Sequence, residues 1–93
     1  MKKLILLLCA ALLIPTAIAE GAMLLYQGHG SLRITTADGK VIYVDPYAGE
    51  GYDLPADLIL VSHSHPDHNA VELIENRNPD CQIIYNTGRP GQW

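Results

Sequence analysis

The feature that most constrains this chain is an abrupt change of character at residue 62. Leu58-Ile59-Leu60-Val61 is an apolar run without alternation, the pattern of a strand covered on both faces. It gives way at once to Ser62-His63-Ser64-His65-Pro66-Asp67-His68-Asn69, which places three of the four histidines and a carboxylate within six positions. If the chain leaves the strand still extended, His63 and His65 point to the same side, with α-carbons about 6.5 Å apart, a gap that two imidazoles close onto one ion. Asp67 and His68, at the start of a predicted helix, diverge by about 100° and so reach neighbouring metal positions. Neutral imidazole is a good ligand for zinc, iron and related ions, and a carboxylate adds charge. A divalent ion also lowers the pKa of a coordinated water from near 15.7 toward about 7, which makes a nucleophile available at neutral pH. A histidine tract that merely scavenges metal on a surface does not usually follow a buried apolar strand. One or two divalent ions are therefore expected, zinc first, with manganese and iron as alternatives.

The rest of the chain reads as short strands around this segment. Met23–Gln27 and Ser31–Thr36 are β-prone runs separated by Gly28-His29-Gly30, whose glycines permit a tight bend. Ala37-Asp38-Gly39-Lys40 has the Asp-Gly pair of a hairpin turn and leads into a strand over Val41–Asp45 that Pro46 ends. Tyr47–Ala56 is a loop holding Gly49, Gly51 and Pro55. Between Asp67 and Arg77 the spacing of Val71, Leu73 and Ile74 predicts a short helix with one apolar side, with Pro79 just beyond it. Gln82–Asn86 is expected to be a further buried strand, and Thr87–Trp93 a turn-rich tail.

Met1–Ala19 has the three-part form of a secretory signal: Lys2 and Lys3, an apolar run from Leu4 to Ile14, and Ala17-Ile18-Ala19 at the cleavage site. The run is too short to span a membrane, so cleavage after Ala19, export to the periplasm or medium, and no stable membrane anchor are expected. The mature segment, residues 20–93, is then 74 residues long, with 4 basic side chains against 10 acidic and a net charge of −6. Such a balance disfavours nucleic acid as a partner, because phosphate binding needs a basic footprint. Cleavage removes Cys9 and leaves Cys81 alone, read as a small buried hydrophobe with no intrachain disulfide.

The run His63-x-His65-x-Asp67-His68 resembles the HxHxDH signature of the metallo-β-lactamase superfamily. Upstream, Gly28-His29-Gly30-Ser31-Leu32-Arg33-Ile34 and Gly39-Lys40-Val41-Ile42-Tyr43-Val44-Asp45-Pro46 are similar to the N-terminal hairpin of its ascorbate-6-phosphate lactonase-like branch and related metal-dependent hydrolases. The resemblance implies an α/β chain, the N-terminal part of an αββα sandwich with four or five strands and one helix. It further implies that His63 and His65 ligate a first metal, that Asp67 and His68 ligate a second, and that Asp45 supports the site from behind the ligands. The alternative for Asp45 is a turn residue that ends its strand. His29 is either a turn residue between glycines or a contact at the substrate rim.

Family members carry further histidine and aspartate ligands downstream, and this chain has no histidine after His68. Catalytic zinc sites use three protein ligands plus water. The expectation is an N-terminal portion of a longer hydrolase, inactive alone, whose full-length form acts on a small-molecule ester, lactone or phosphodiester. The uncovered sheet face would then be a surface for association. Two alternatives stand beside it: a small exported metal-binding module, and a non-functional remnant.

Overall fold

The computed structural model describes residues 21–86 of the 93. The expected signal at Met1–Ala19, with Cys9, and the tail at Thr87–Trp93 lie outside the described residues. Five strands, β1 (Met23–Gly28), β2 (Ser31–Thr35), β3 (Val41–Val44), β4 (Ala56–Val61) and β5 (Arg77–Tyr85), form one sheet in the order β1-β2-β3-β4-β5. The first two pairings are antiparallel, joined by the tight turns at 28–30 and 36–40, and the last two are parallel. The Asp-Gly turn forms as expected: Gly39 N–H donates to the Thr36 carbonyl at 2.9 Å and Gly39 adopts φ +92°.

One face of this sheet is packed and the other is not. Val41, Tyr43, Ile59 and Val61 are buried, and Tyr52, Leu54, Val71 and Ile83 pack against the cluster that Val41, Tyr43 and Ile59 form with Ala56 and Ile74. Leu58 and Leu60 are only half-buried although they lie on a central strand, as are Ile42 and Val44, because the packed cluster draws wholly on the opposite face. The non-alternating Leu58–Val61 run therefore has one covered side among the described residues, where two were expected.

The predicted helix is the main departure. Residues 67–77 hold a single 3-10 turn at Val71–Leu73, and β5 begins at Arg77 rather than at Gln82. The carbonyls that an α-helix would use are taken by other donors. Arg77 Nε donates to the Ile74 carbonyl at 2.8 Å, and the Val71 carbonyl accepts from both Ile74 N–H and the Arg77 guanidinium. Ala70 N–H meanwhile donates to Pro46, outside the segment. Short i→i+3 bonding of this kind turns the chain sharply enough to bury Ile74 completely against β4. Pro79 lies inside β5, where the register with β4 slips between Arg77 and Gln82; a proline cannot donate to the ladder and is tolerated at such an irregularity. Of the expected αββα sandwich, the described residues thus form one mixed sheet, with no α-helix and no second sheet among them.

The loop from Pro46 to Pro55 lies on the packed face. Tyr52 stacks on Tyr43 with ring centroids 5.7 Å apart, its hydroxyl donates to the Ala48 carbonyl at 2.6 Å, and the Tyr43 hydroxyl donates to the Leu54 carbonyl at 2.8 Å. Gly49 makes this approach feasible: at φ +72° its backbone runs so close to β1 that an added Cβ would lie 2.0 Å from the Gln27 carbonyl oxygen. Gly49→Ala is accordingly expected to destabilise the fold by about 3 kcal/mol or more, combining left-handed strain with a backbone clash. Gly39→Ala, with open space around it, should cost only the conformational part, about 1–2 kcal/mol. Urea midpoints of the two variants measure the difference, and equal midpoints would refute the close approach.

Candidate metal site

The site is assembled where three chain segments meet at one end of the sheet: the β1–β2 turn, the residue after β3, and the residues after β4. Asp45 joins them. It follows β3 in the left-handed region at φ +46°, and only 6% of its surface is exposed. Its amide donates to the Leu60 carbonyl at 2.8 Å, and its own carbonyl accepts from the Ser31 hydroxyl at 2.6 Å. One carboxylate oxygen accepts the Ser62 amide at 2.7 Å; the other accepts the Ser62 hydroxyl at 2.6 Å and His68 Nδ1 at 2.9 Å. Burial by itself would raise this carboxyl, but the Ser62 hydroxyl, the Ser62 amide and His68 outweigh it and hold Asp45 below the usual carboxylate range.

These bonds also fix proton positions. An ionised carboxylate only accepts, so the His68 proton must lie on Nδ1, which leaves the Nε2 lone pair free. The Ser62 hydroxyl spends its one hydrogen on Asp45, so at 2.8 Å from His63 Nδ1 it is the acceptor. His63 is protonated on Nδ1 in turn, and its Nε2 is free. The three motif imidazoles are clustered: centroids lie 4.0 Å apart for His63 and His68, and 4.6 Å for His63 and His65.

Asp67 and His68 stand on a tight turn, closed by His68 N–H donating to the His65 carbonyl at 2.9 Å, and not on the first turn of a helix as expected. The turn brings Asp67 Oδ2 to 3.7 Å from His68 Nε2. His29, from the β1–β2 turn, donates to the same oxygen at 2.7 Å, and this bond is the chief reason that the Asp67 carboxyl titrates low. All six residues singled out in the sequence, His29, Asp45, His63, His65, Asp67 and His68, therefore converge on one end of the sheet. His63 lies nearer to His68 than a strict division into His63/His65 and Asp67/His68 pairs anticipates.

The donor set suits a divalent ion. Two imidazoles offer unprotonated Nε2 atoms, a carboxylate lies beside one of them, and a buried acceptor fixes the tautomer, as supporting groups behind metal ligands do. Asp45 has its oxygens filled by Ser62 and His68 and is placed to orient rather than to ligate. Sequence reasoning missed Ser62, which holds both Asp45 and His63, and Tyr47, whose ring meets the His29 imidazole edge-on at 5.6 Å. Its place between the buried strand and the first histidine is the one signal the sequence offered for Ser62. Cys81 is free and half-buried, and burial pushes its thiol up, in keeping with a packing role.

Replacing Asp45 by Asn removes the obligatory acceptor. Asp45→Asn is expected to let His68 populate both tautomers and to cost about 1–3 kcal/mol from unsatisfied buried donors. Imidazole 15N shifts report the tautomer; a His68 that stays protonated on Nδ1 in the variant would contradict this account.

The beta-lactamase superfamily domain matches residues 23–89. A UPF0173 metal-dependent hydrolase of Thermodesulfovibrio yellowstonii is 36% identical over 96% of this chain and 38% of its own length, and one from Cupriavidus necator is 39% identical over 80% of this chain and 29% of its own. A crystal structure from Parabacteroides distasonis, of a protein provisionally assigned as a metal-dependent hydrolase, superposes with a TM-score of 0.61 at 34% identity, covering 71% of this chain and 31% of that one. The chain spans about a third of the length of these relatives. With the site and the sheet in agreement with these likenesses, the chain belongs to the metallo-β-lactamase fold superfamily.

Proposed function

We propose that this chain is the metal-holding N-terminal part of a metal-dependent hydrolase, with His63, His65, Asp67 and His68 as ligands to one or two divalent ions and zinc as the resident metal. A bound divalent ion supplies Lewis acidity and a water activated for attack at neutral pH. This chain's own residues hold and orient: Asp45 keeps the His68 proton on Nδ1, Ser62 does the same for His63, and the Nε2 atoms of both rings are left free. The observation that carries the reading is this pair of fixed tautomers beside Asp67. That its relatives are named metal-dependent hydrolases supports it.

Hydrolysis of a small-molecule ester, lactone or phosphodiester needs residues in addition to His63, His65, Asp67 and His68, and the half-buried sheet face bearing Ile42, Val44, Leu58 and Leu60 is the surface where they associate. Equilibrium dialysis of the 93-residue chain with zinc should show retention of at least one ion, lost on chelation and in the His63→Ala, His65→Ala double variant. No turnover is expected on a panel of lactones, esters and phosphodiesters. Zinc-dependent turnover by this chain alone would overturn the need for further residues, and equal retention by the double variant would overturn the ligand assignment.

Export completes the reading. The basic, apolar and small-residue succession of Met1–Ala19 supports removal of that segment after Ala19. Expression in a bacterial host should yield a periplasmic or secreted product whose N-terminal residue is Glu20; an intact Met1 in the cytoplasm would contradict it.

A further inference from the structure

We propose that His29 is itself a metal ligand, and that His29, Asp67 and His68 form a two-histidine, one-carboxylate set that holds one divalent ion within this segment alone. The inference deepens the reading of the site as a metal centre, in which His29 has no ligand role. His29, Asp67 and His68 each offer a ligand atom within 4.8 Å of the other two, and Asp67 Oδ2 lies 2.7 Å from His29 Nε2 and 3.7 Å from His68 Nε2. Tetrahedral ligation with bonds of about 2.0–2.2 Å places ligand atoms about 3.3–3.6 Å apart, between the two separations observed from Asp67 Oδ2. A small opening of the His29–Asp67 contact, with the His29 proton moving from Nε2 to Nδ1 so that Nε2 can ligate, then seats an ion at all three. Two histidines and one carboxylate recur as a protein ligand set that leaves positions open for water or substrate.

The backbone places His29 there at a cost that a mere turn would avoid. His29 adopts φ +53° between two glycines, a region that a non-glycine residue enters with strain. Glycine would serve the bend better, yet a histidine occupies it. The Tyr26 hydroxyl donates to the His29 carbonyl at 2.8 Å, and the Tyr47 ring meets the imidazole from the side, so the ring is aimed as well as tolerated. Gly30 completes the approach: an added Cβ there would lie 2.8 Å from His68 Cε1, so the β1–β2 turn is pressed against the His68 ring. With Asp45 holding His68 Nδ1, the His68 nitrogen left to an ion is Nε2. The His29 side chain is about half exposed, which leaves the ion open on the solvent side.

The alternative is that His29 only hydrogen-bonds Asp67 and so positions it. Imidazole 15N spectra of the histidine-labelled 93-residue chain, titrated with 113Cd as a zinc surrogate, decide between them without any substitution. One equivalent should shift Nε2 of both His29 and His68 and show 113Cd–15N coupling to both, while His68 Nδ1 stays protonated. His29→Gln, which can still donate to Asp67, should weaken binding of that ion by about tenfold or more, at least the loss that follows removal of a supporting group. Coupling to His68, His63 or His65 with His29 silent overturns the inference and leaves the proposed function standing, as does full affinity in His29→Gln. Silence of all four imidazoles overturns both.

Discussion

Everything at this site depends on one buried carboxylate. Asp45 ends a strand in a left-handed turn, and through its amide, its carbonyl and both carboxylate oxygens it binds β2, β4 and the segment that carries the motif. A buried charge is costly unless its lone pairs are filled, and here the groups that fill them are the ones whose orientation matters. The same three hydrogen bonds that make Asp45 tolerable in the interior fix a proton on His68, and through Ser62 on His63. Stability and preorganisation of the ligand atoms are therefore one arrangement, and neither could be relaxed without the other.

The sheet exists to bring these segments to one edge. The antiparallel hairpins put the 28–30 turn beside the end of β3, and the parallel pairing of β3 with β4 sets Asp45 next to Ser62. In sheets with parallel strands, ligands gather beyond the carboxyl ends, and the site obeys that geometry. The Pro46–Pro55 loop and Ile74 cover one face, while the other keeps an apolar surface half-buried. The core thus draws on one face of the sheet only.

Much of this was legible in the residues. Five strands follow from β-branched and aromatic runs cut by Gly, Asp-Gly and Pro, and the first four fall within a residue or two of their expected places. The helix at 67–77 was not legible as absent, because its apolar spacing is real and serves to bury Ile74. What defeats it is the Arg77 guanidinium, which reaches back to the carbonyls of Val71 and Ile74, a side-chain competition that no periodicity records. The extent of β5 was hidden for a related reason: Pro79 looks like a stop, and only pairing with β4 shows that the strand accommodates it as an irregularity in register.

By itself the sequence determined the chemistry available: which donors exist, their spacing after a buried strand, and a resemblance strong enough to name a superfamily. Only the tertiary structure decided which donors meet. His29 and Asp67 are 38 positions apart, and Asp45 and His68 are 23 apart, separations at which spacing along the chain carries no geometric information. Their contacts follow from strand register and from two left-handed turns, and the protonation states follow from those contacts. A sequence states that an imidazole is present; which of its nitrogens is free is set by the acceptor that the fold puts behind it.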